Sequence, residues 1–156
     1  MTKPIPKGYR AVTPSLIFKD SSKALAFYKK AFRSKELSMF RGPDGKSVMH
    51  ATIKIGNSIL MIADEIFGNK CQSAETLGNS PISIYLYVKD ADKTFAKAVK
   101  AGATVTMPLA DMFWGDRMGN VKDPFGYSWT IATHVKDLTE EEIKKGGEAF
   151  MASFAK

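Results

Sequence analysis

Cysteine is all but missing from this chain. Cys71 is the only one in 156 residues, which excludes an internal disulfide and any zinc site built on thiolates. Cys71 has Lys70 as its only basic neighbour, so it reads as an incidental thiol rather than a reactive one. Histidine is nearly as scarce. His50 and His134 are the only two, and a metal held by both would also need carboxylates. Long apolar runs are absent too. Stretches such as Ile59-Leu60-Met61-Ile62-Ala63 fall far short of the ~20 residues a membrane-spanning helix needs. The opening Met1-Thr2-Lys3-Pro4-Ile5-Pro6-Lys7 has no apolar core, so no signal peptide is expected and the default location is the cytoplasm. Neither a P-loop nor a nucleophile elbow occurs.

What is present is an ordinary globular composition, 44% hydrophobic and 25% charged, in a length that fits one domain over residues 1–156. The net charge of +7 invites a polyanion partner until it is located. Lysines occur at 19, 23, 29 and 30 and at 89, 93, 97 and 100, on and just before two expected helices. Such a pattern describes solvated helix faces, without the continuous basic groove and interleaved aromatics of a nucleic-acid binder. No nucleic-acid or membrane partner is therefore expected.

The same numbers expose an internal repeat. At an offset of 70, Lys19-Asp20 meets Lys89-Asp90, Lys23 meets Lys93, Ala26 meets Ala96, and Lys30-Ala31 meets Lys100-Ala101. Gly56 meets Gly126 and Ser58 meets Ser128. Each half reads βαβββ. Strands are expected at 11–18, 37–40, 48–55 and 57–63, with an N-cap at Asp20-Ser21-Ser22 and a helix through Ala31. The second half offers strands at 82–88, 103–107, 118–122 and 127–133, with a helix capped by Asp90 or Asp92 and stopped by Gly102. Module one covers about 9–63 and module two about 81–135, joined by a polar connector over 64–80. A tail over 137–156 opens on the capping box Thr139-Glu140-Glu141-Glu142 and reads as a surface helix, weakened by Gly146-Gly147 and docked by Phe150 and Phe154. The fold class is α+β.

Two βαβββ modules in this length resemble the vicinal oxygen chelate superfamily of glyoxalase, bleomycin-resistance and extradiol dioxygenase proteins. The stretch from Lys23 to Phe32 looks like the family's first helix, and Asp123-Pro124-Phe125-Gly126 like its turn before the last strand. Phe113-Trp114-Gly115-Asp116-Arg117 and Ala132-Thr133-His134 are similar to the PhnB-like branch. The resemblance implies two sheets curving into an incomplete barrel around a cleft, with helices outside and a C-terminal helix added. Strand alternation then assigns faces. Met49, Ala51, Ile53 and Ile55 should face the helices, while His50, Thr52 and Lys54 face the cleft with Thr13, Ser15, Ser83, Tyr85, Tyr87, Ser128 and Thr130. Trp129 and Ile131 should turn to the core.

Metal-dependent members of that family place His and Glu ligands on the first and last strand of each module. The resemblance carries those places onto Thr13, Leu60 (or Met61 if the strand slips by one), Ser83 and Thr130. None is His, Glu or Asp, so no metal and no cofactor are expected, and glyoxalase-type isomerisation, thiol transfer and extradiol cleavage lose their usual basis.

The candidate ligand-binding residues are His50, Lys54, Tyr85, Tyr87, Trp114, Arg117, Asn120 and Thr130. His50, which the repeat pairs with Asn120, is a satisfied cleft or sheet histidine, a ligand contact or a contributor to a displaced metal site, and it is the one candidate general base. Arg117 could grip a carboxylate or phosphate. Alternatively Asp116 and Arg117 pin their loop by hydrogen bonds while Trp114 plugs the cleft or a partner subunit. Tyr85 and Tyr87 could stack on a ligand or simply line a sheet. Three functions stay open: a small-molecule-binding protein, an enzyme (lyase, isomerase or dioxygenase-like) using His50, and a structural or regulatory module with a filled cleft. Lys54, Lys122 and Arg117 favour an anionic or neutral organic ligand over a cationic one. A homodimer is expected.

Overall fold

The computed structural model describes residues 2–66 and 68–155. The elements run β1 (Ser15–Phe18), α1 (Ser21–Phe32), β2 (Lys35–Arg41), β3 (Val48–Ile55), β4 (Ser58–Asp64) and then, after a short 3-10 turn at Gly68–Lys70, α2 (Ala74–Leu77). The second set is β5 (Ser83–Tyr87), α3 (Ala91–Ala101), β6 (Thr104–Asp111), β7 (Asp116–Lys122) and β8 (Ser128–His134), followed by α4 (Glu140–Phe154). Two four-stranded mixed sheets result, ordered β1-β4-β3-β2 and β5-β8-β7-β6. Only the β1–β4 and β5–β8 pairs are parallel. Neither sheet closes into a barrel, and the fold is α+β with a C-terminal helix, as expected.

Local chemistry explains the helix limits. Asp20 accepts from the Lys23 amide at 3.0 Å and Asp90 from the Lys93 amide at 2.9 Å, so both modules open their helix with the same cap. Gly102 ends α3 at φ 121°. Its counterpart after α1 is Arg33 at φ 55°, the only non-glycine with positive φ among the described residues. Thr139 and Glu142 form the reciprocal capping box of α4.

Three expectations need correction. β1 is shorter than the expected 11–18, because Thr13 turns back to donate to the Arg10 carbonyl at 3.0 Å and strand pairing begins only at Ser15. β6 is longer than 103–107 and runs to Asp111 through Pro108, tolerated because β6 is an edge strand with register shifts. The connector also carries α2, capped by Ser73.

The offset of 70 holds for the first strand and helix of each module but not for the rest. Ser15 and Thr52 flank Met61, as Tyr85 and Asn120 flank Thr130. Met61 therefore matches Thr130 at an offset of 69, and Thr52 matches Asn120 at 68. The missing residue lies in the hairpin. Lys54 and Ile59 are joined by residues 55–58 around the Gly56-Asn57 turn, whereas their matches Lys122 and Ser128 are joined by residues 123–127.

The core follows the face assignment. Ala51, Ile53, Ile55, Trp129 and Ile131 are buried on the helix side, with Leu16 and Phe18. Helices α1 and α3 pack against each other, and the aromatic rings of α1 interlock with those of the 123–127 hairpin. Phe125 lies edge-on to Phe18 at 5.5 Å and to Phe27 at 6.0 Å, and Trp129 lies 4.6 Å from Phe32. Deep in this cluster Asp123 accepts from Trp129 Nε1 at 2.9 Å and from the Phe125 and Tyr127 amides. Tyr127 uses its hydroxyl to satisfy the free edge of β1, donating to the Ile17 carbonyl at 2.8 Å.

Candidate functional site

The face of the second sheet turned away from its helix is organised by one carboxylate. Register places Asp116, Asn120, Thr130, His134, Tyr85 and Tyr87 on that face. Asp116 is 2% exposed. Its Oδ2 accepts from Tyr85 Oη at 3.0 Å, Tyr87 Oη at 2.8 Å and Trp114 Nε1 at 3.2 Å. Its Oδ1 lies 2.8 Å from His134 Nδ1. The other ring nitrogen of His134 lies 2.9 Å from Asp137. A turn starting at Phe113 delivers these groups, because Gly115 adopts φ 94° and its amide carbonyl accepts from both Val135 and Lys136.

The electrostatics follow from these contacts. Burial would raise the Asp116 carboxyl, but hydrogen bonds led by His134 outweigh it and hold it below the usual carboxylate range. Bonds to Asp116 and then Asp137 push His134 up, favouring the imidazolium. Desolvation first, then Asp116, pushes the Tyr85 phenol well up, and the Asp116 hydrogen bond does the same to Tyr87. Both phenols therefore remain donors at neutral pH. Their rings stand 5.0 Å apart at 41°, with Tyr85 44% and Tyr87 60% exposed. The hydroxyls are pinned and the ring faces open to solvent.

The other predicted residues lie in separate places. Thr130 donates to Asn120 Oδ1 at 2.8 Å on the same face. His50 lies on the first sheet, its Nε2 3.1 Å from Thr52 Oγ1, and Tyr9 of the N-terminal arm approaches the same threonine at 3.4 Å. Lys54 and Tyr87 both line a cavity between the modules. Trp114 joins the Asp116 cluster. Arg117 is not on this face at all. It alternates with Asp116, so it points to the helix side, where Nε and Nη2 grip Asp92 at 2.7 and 2.6 Å and Nη1 meets Asp111 at 3.1 Å. Those bonds push its pKa up and leave the guanidinium committed to two carboxylates. Of the two readings of the Asp116-Arg117 pair, the geometry therefore matches the loop-pinning one.

Sequence reasoning overlooked the pairing of His134 with Asp116 and the arrival of Tyr9 over Thr52. The first was within reach, since Asp116 has the face parity of Asn120 and Met118. The second left no signal, because Tyr9 lies outside any periodic segment.

The positions that the resemblance marks for a metal carry hydroxyl, apolar or thioether side chains. Thr13 donates to the Arg10 carbonyl, Thr130 donates to Asn120, and the remaining two are Ser83 and Leu60 or Met61. Hydroxyls and a thioether are weak or mismatched donors for such ions. Among the described residues no group of three or more His, Cys, Asp or Glu is arranged to hold a metal, and no helix is long and apolar enough to cross a membrane.

Comparison with known proteins supplies the context. The family model described as Glyoxalase/Bleomycin resistance protein/Dioxygenase superfamily matches residues 11–131. An uncharacterized protein of Mycobacterium tuberculosis (strain ATCC 25618 / H37Rv), Rv0887c, is 40% identical over 137 residues, which is 86% of this chain and 80% of that one. The solved structure of the Arabidopsis thaliana product AT5G48480 superposes with a TM-score of 0.64 at 27% identity, covering 80% of this chain and 98% of that one. A PhnB protein from Bacillus cereus, described as a putative 3-demethylubiquinone-9 3-methyltransferase, superposes at 0.62 with 21% identity over 80% of this chain and 99% of that one. The last likeness concerns the fold alone.

Proposed function

Since this chain belongs to the glyoxalase/bleomycin resistance protein/dioxygenase superfamily, we propose that it is a small-molecule-binding member, without the usual His/Glu metal ligands, that holds an organic ligand on the Tyr85–Tyr87 face. The carrying observation is the tyrosine pair itself. Two half-exposed rings fixed through one buried carboxylate form a stacking platform with little conformational entropy left to lose on binding. Thr130, Asn120 and the edge of Trp114 add polar and aromatic contacts beside it. A neutral or anionic aromatic ligand suits the site, because the Asp116 charge is already consumed by four donors and Lys54 lines the adjoining cavity that Tyr87 also borders.

The reading that makes His50 a general base has less support. Its ring meets a threonine hydroxyl, and among the described residues no carboxylate hydrogen-bonds to it. His134 is no better as a base, since both ring nitrogens are occupied by carboxylates that favour its charged form. A cytoplasmic homodimer completes the proposal, supported by Leu37 and Phe40, 51% and 63% exposed on the edge strand β2.

The test is a thermal-shift screen of neutral and anionic aromatic compounds, with Trp114 fluorescence as a second readout. Stabilisation of the parent, lost in Tyr85→Ala and Tyr87→Ala, is the expected result. Stabilisation by divalent metals alone would overturn the reading.

A further inference from the structure

The two modules meet along two comparable seams, and the seams are filled differently. In one, the 123–127 hairpin of module two inserts Phe125 and Tyr127 against Phe18 of β1 and Phe27 of α1. In the other, the two-residue turn Gly56-Asn57 of module one faces β5 and α3 with no aromatic to insert. The counterparts of Ala24 and Phe27 there are Thr94 and Lys97. The result is a cavity of about 570 Å³, within the ~300–1,000 Å³ range of small-molecule sites.

Its lining is strongly biased in charge. Arg33, Lys35, Lys54, Lys89, Lys93 and Lys97 surround it, and Asp90 is the one acidic residue. Among the described residues none of the six cations makes an ion pair, and Asp90 is occupied in capping α3 through the Lys93 amide. The floor is apolar, formed by Phe32, Ile55, Leu86 and Val88. Six like charges around one concavity repel one another and raise the local concentration of anions. Arg33 adds an independent sign. It holds the left-handed cap position that module two gives to Gly102, so an unfavourable backbone is kept where a glycine would relieve it. What that residue contributes that glycine cannot is a guanidinium at the rim of the cavity.

We propose that this inter-module cavity is a binding site for a phosphate monoester on a small apolar or aromatic body. The dianionic phosphate, with its three acceptor oxygens, would engage the lysines and Arg33, and the body would lie on the apolar floor. The site is separate from the Asp116 face, although Tyr87 borders both, and it stands or falls independently of the ligand proposed there.

Isothermal titration of the full chain with phenyl phosphate, inorganic phosphate, benzoate and phenol tests it. Phenyl phosphate should bind at least tenfold more tightly than each of the other three, with affinity falling as salt rises. Arg33→Gly should weaken it at least fivefold while the thermal midpoint holds or rises. Lys97→Phe, which copies the filled seam, should abolish binding in a folded protein. Tighter binding of inorganic phosphate would overturn the organic body. Equal weakening by Lys100→Ala, outside the cavity, would reduce the effect to general surface charge. Absence of phenyl phosphate binding at millimolar concentration, or unchanged affinity in both Arg33→Gly and Lys97→Phe, would overturn the site.

Discussion

The hydroxyl of Tyr28 donates to Oδ2 of Asp123 at 2.6 Å, joining the helix of module one to the hairpin of module two across 95 residues of chain. Both groups are buried, and Asp123 takes three further bonds from Trp129 and from the Phe125 and Tyr127 amides. Burial pushes the Asp123 carboxyl above its ordinary value despite these donors, and it pushes the Tyr28 phenol up as well.

This pair yields the first prediction. Tyr28→Phe leaves Asp123 with one donor fewer in an apolar surround and should cost about 1–3 kcal/mol in urea unfolding. Asp123→Ala strands the indole and phenol together and should cost more than Tyr28→Phe. Because the folded carboxyl is raised, the native state binds its proton more tightly. Asp123 therefore favours folding less as pH climbs from about 4 through its folded pKa. An Asp123→Asn variant should be less sensitive to pH than the parent in that window. Equal slopes would contradict the assignment.

Asp116 and His134 give the second. Asp116→Ala leaves two phenols, an indole and an imidazole without their acceptor, and a loss of about 3 kcal/mol is expected, with freer tyrosine rings. The raised pKa of His134 means its contribution is complete below about 6.5 and is lost as pH rises through the folded value. The thermal midpoint of the parent should therefore converge on that of His134→Gln as pH increases. Imidazole chemical shifts should give a pKa above the ordinary histidine range, moving back towards it in Asp116→Asn.

The tail supplies the third. Helix α4 passes Phe113 so closely that a Cβ on Gly146 would lie 2.8 Å from the Phe113 Cβ, whereas one on Gly147 would lie 3.2 Å from its ring edge. Phe150 then packs on Phe113 at 5.5 Å. Gly146→Ala should loosen the tail, seen as faster amide exchange over 140–154 and altered Trp114 fluorescence, although alanine is the better helix former by about 1 kcal/mol. In Gly147→Ala the ring can give way, so that gain should persist and the helix stay docked. Identical behaviour of the two variants would count against the close approach.

Much of the fold was legible before any coordinates. The repeated Lys-Asp caps, the two helices, the inward set Ala51, Ile53, Ile55, Trp129 and Ile131 and the capping box at Thr139 are local signals, and each reappears in place. The site was legible only in parts. Tyr85, Tyr87 and Trp114 could be named, but not that one carboxylate holds all three. Arg117 was placed with the ligand residues, yet it faces Asp92 and Asp111, because strand parity separates it from the neighbouring Asp116.

The sequence by itself determined two βαβββ modules and their core faces. Periodicity, capping and residue chemistry act over a few positions and can be read along the chain. Tertiary structure decided the rest. A hairpin one residue longer between matched strand positions in module two shifts the offset from 68 to 69 and brings Phe125 and Tyr127 into one seam. The shorter turn leaves the other seam open and lined with cations. Whether a lysine lies on a solvated helix face or at the wall of a cavity depends on what packs opposite it, and that contact is made by residues far away in the chain.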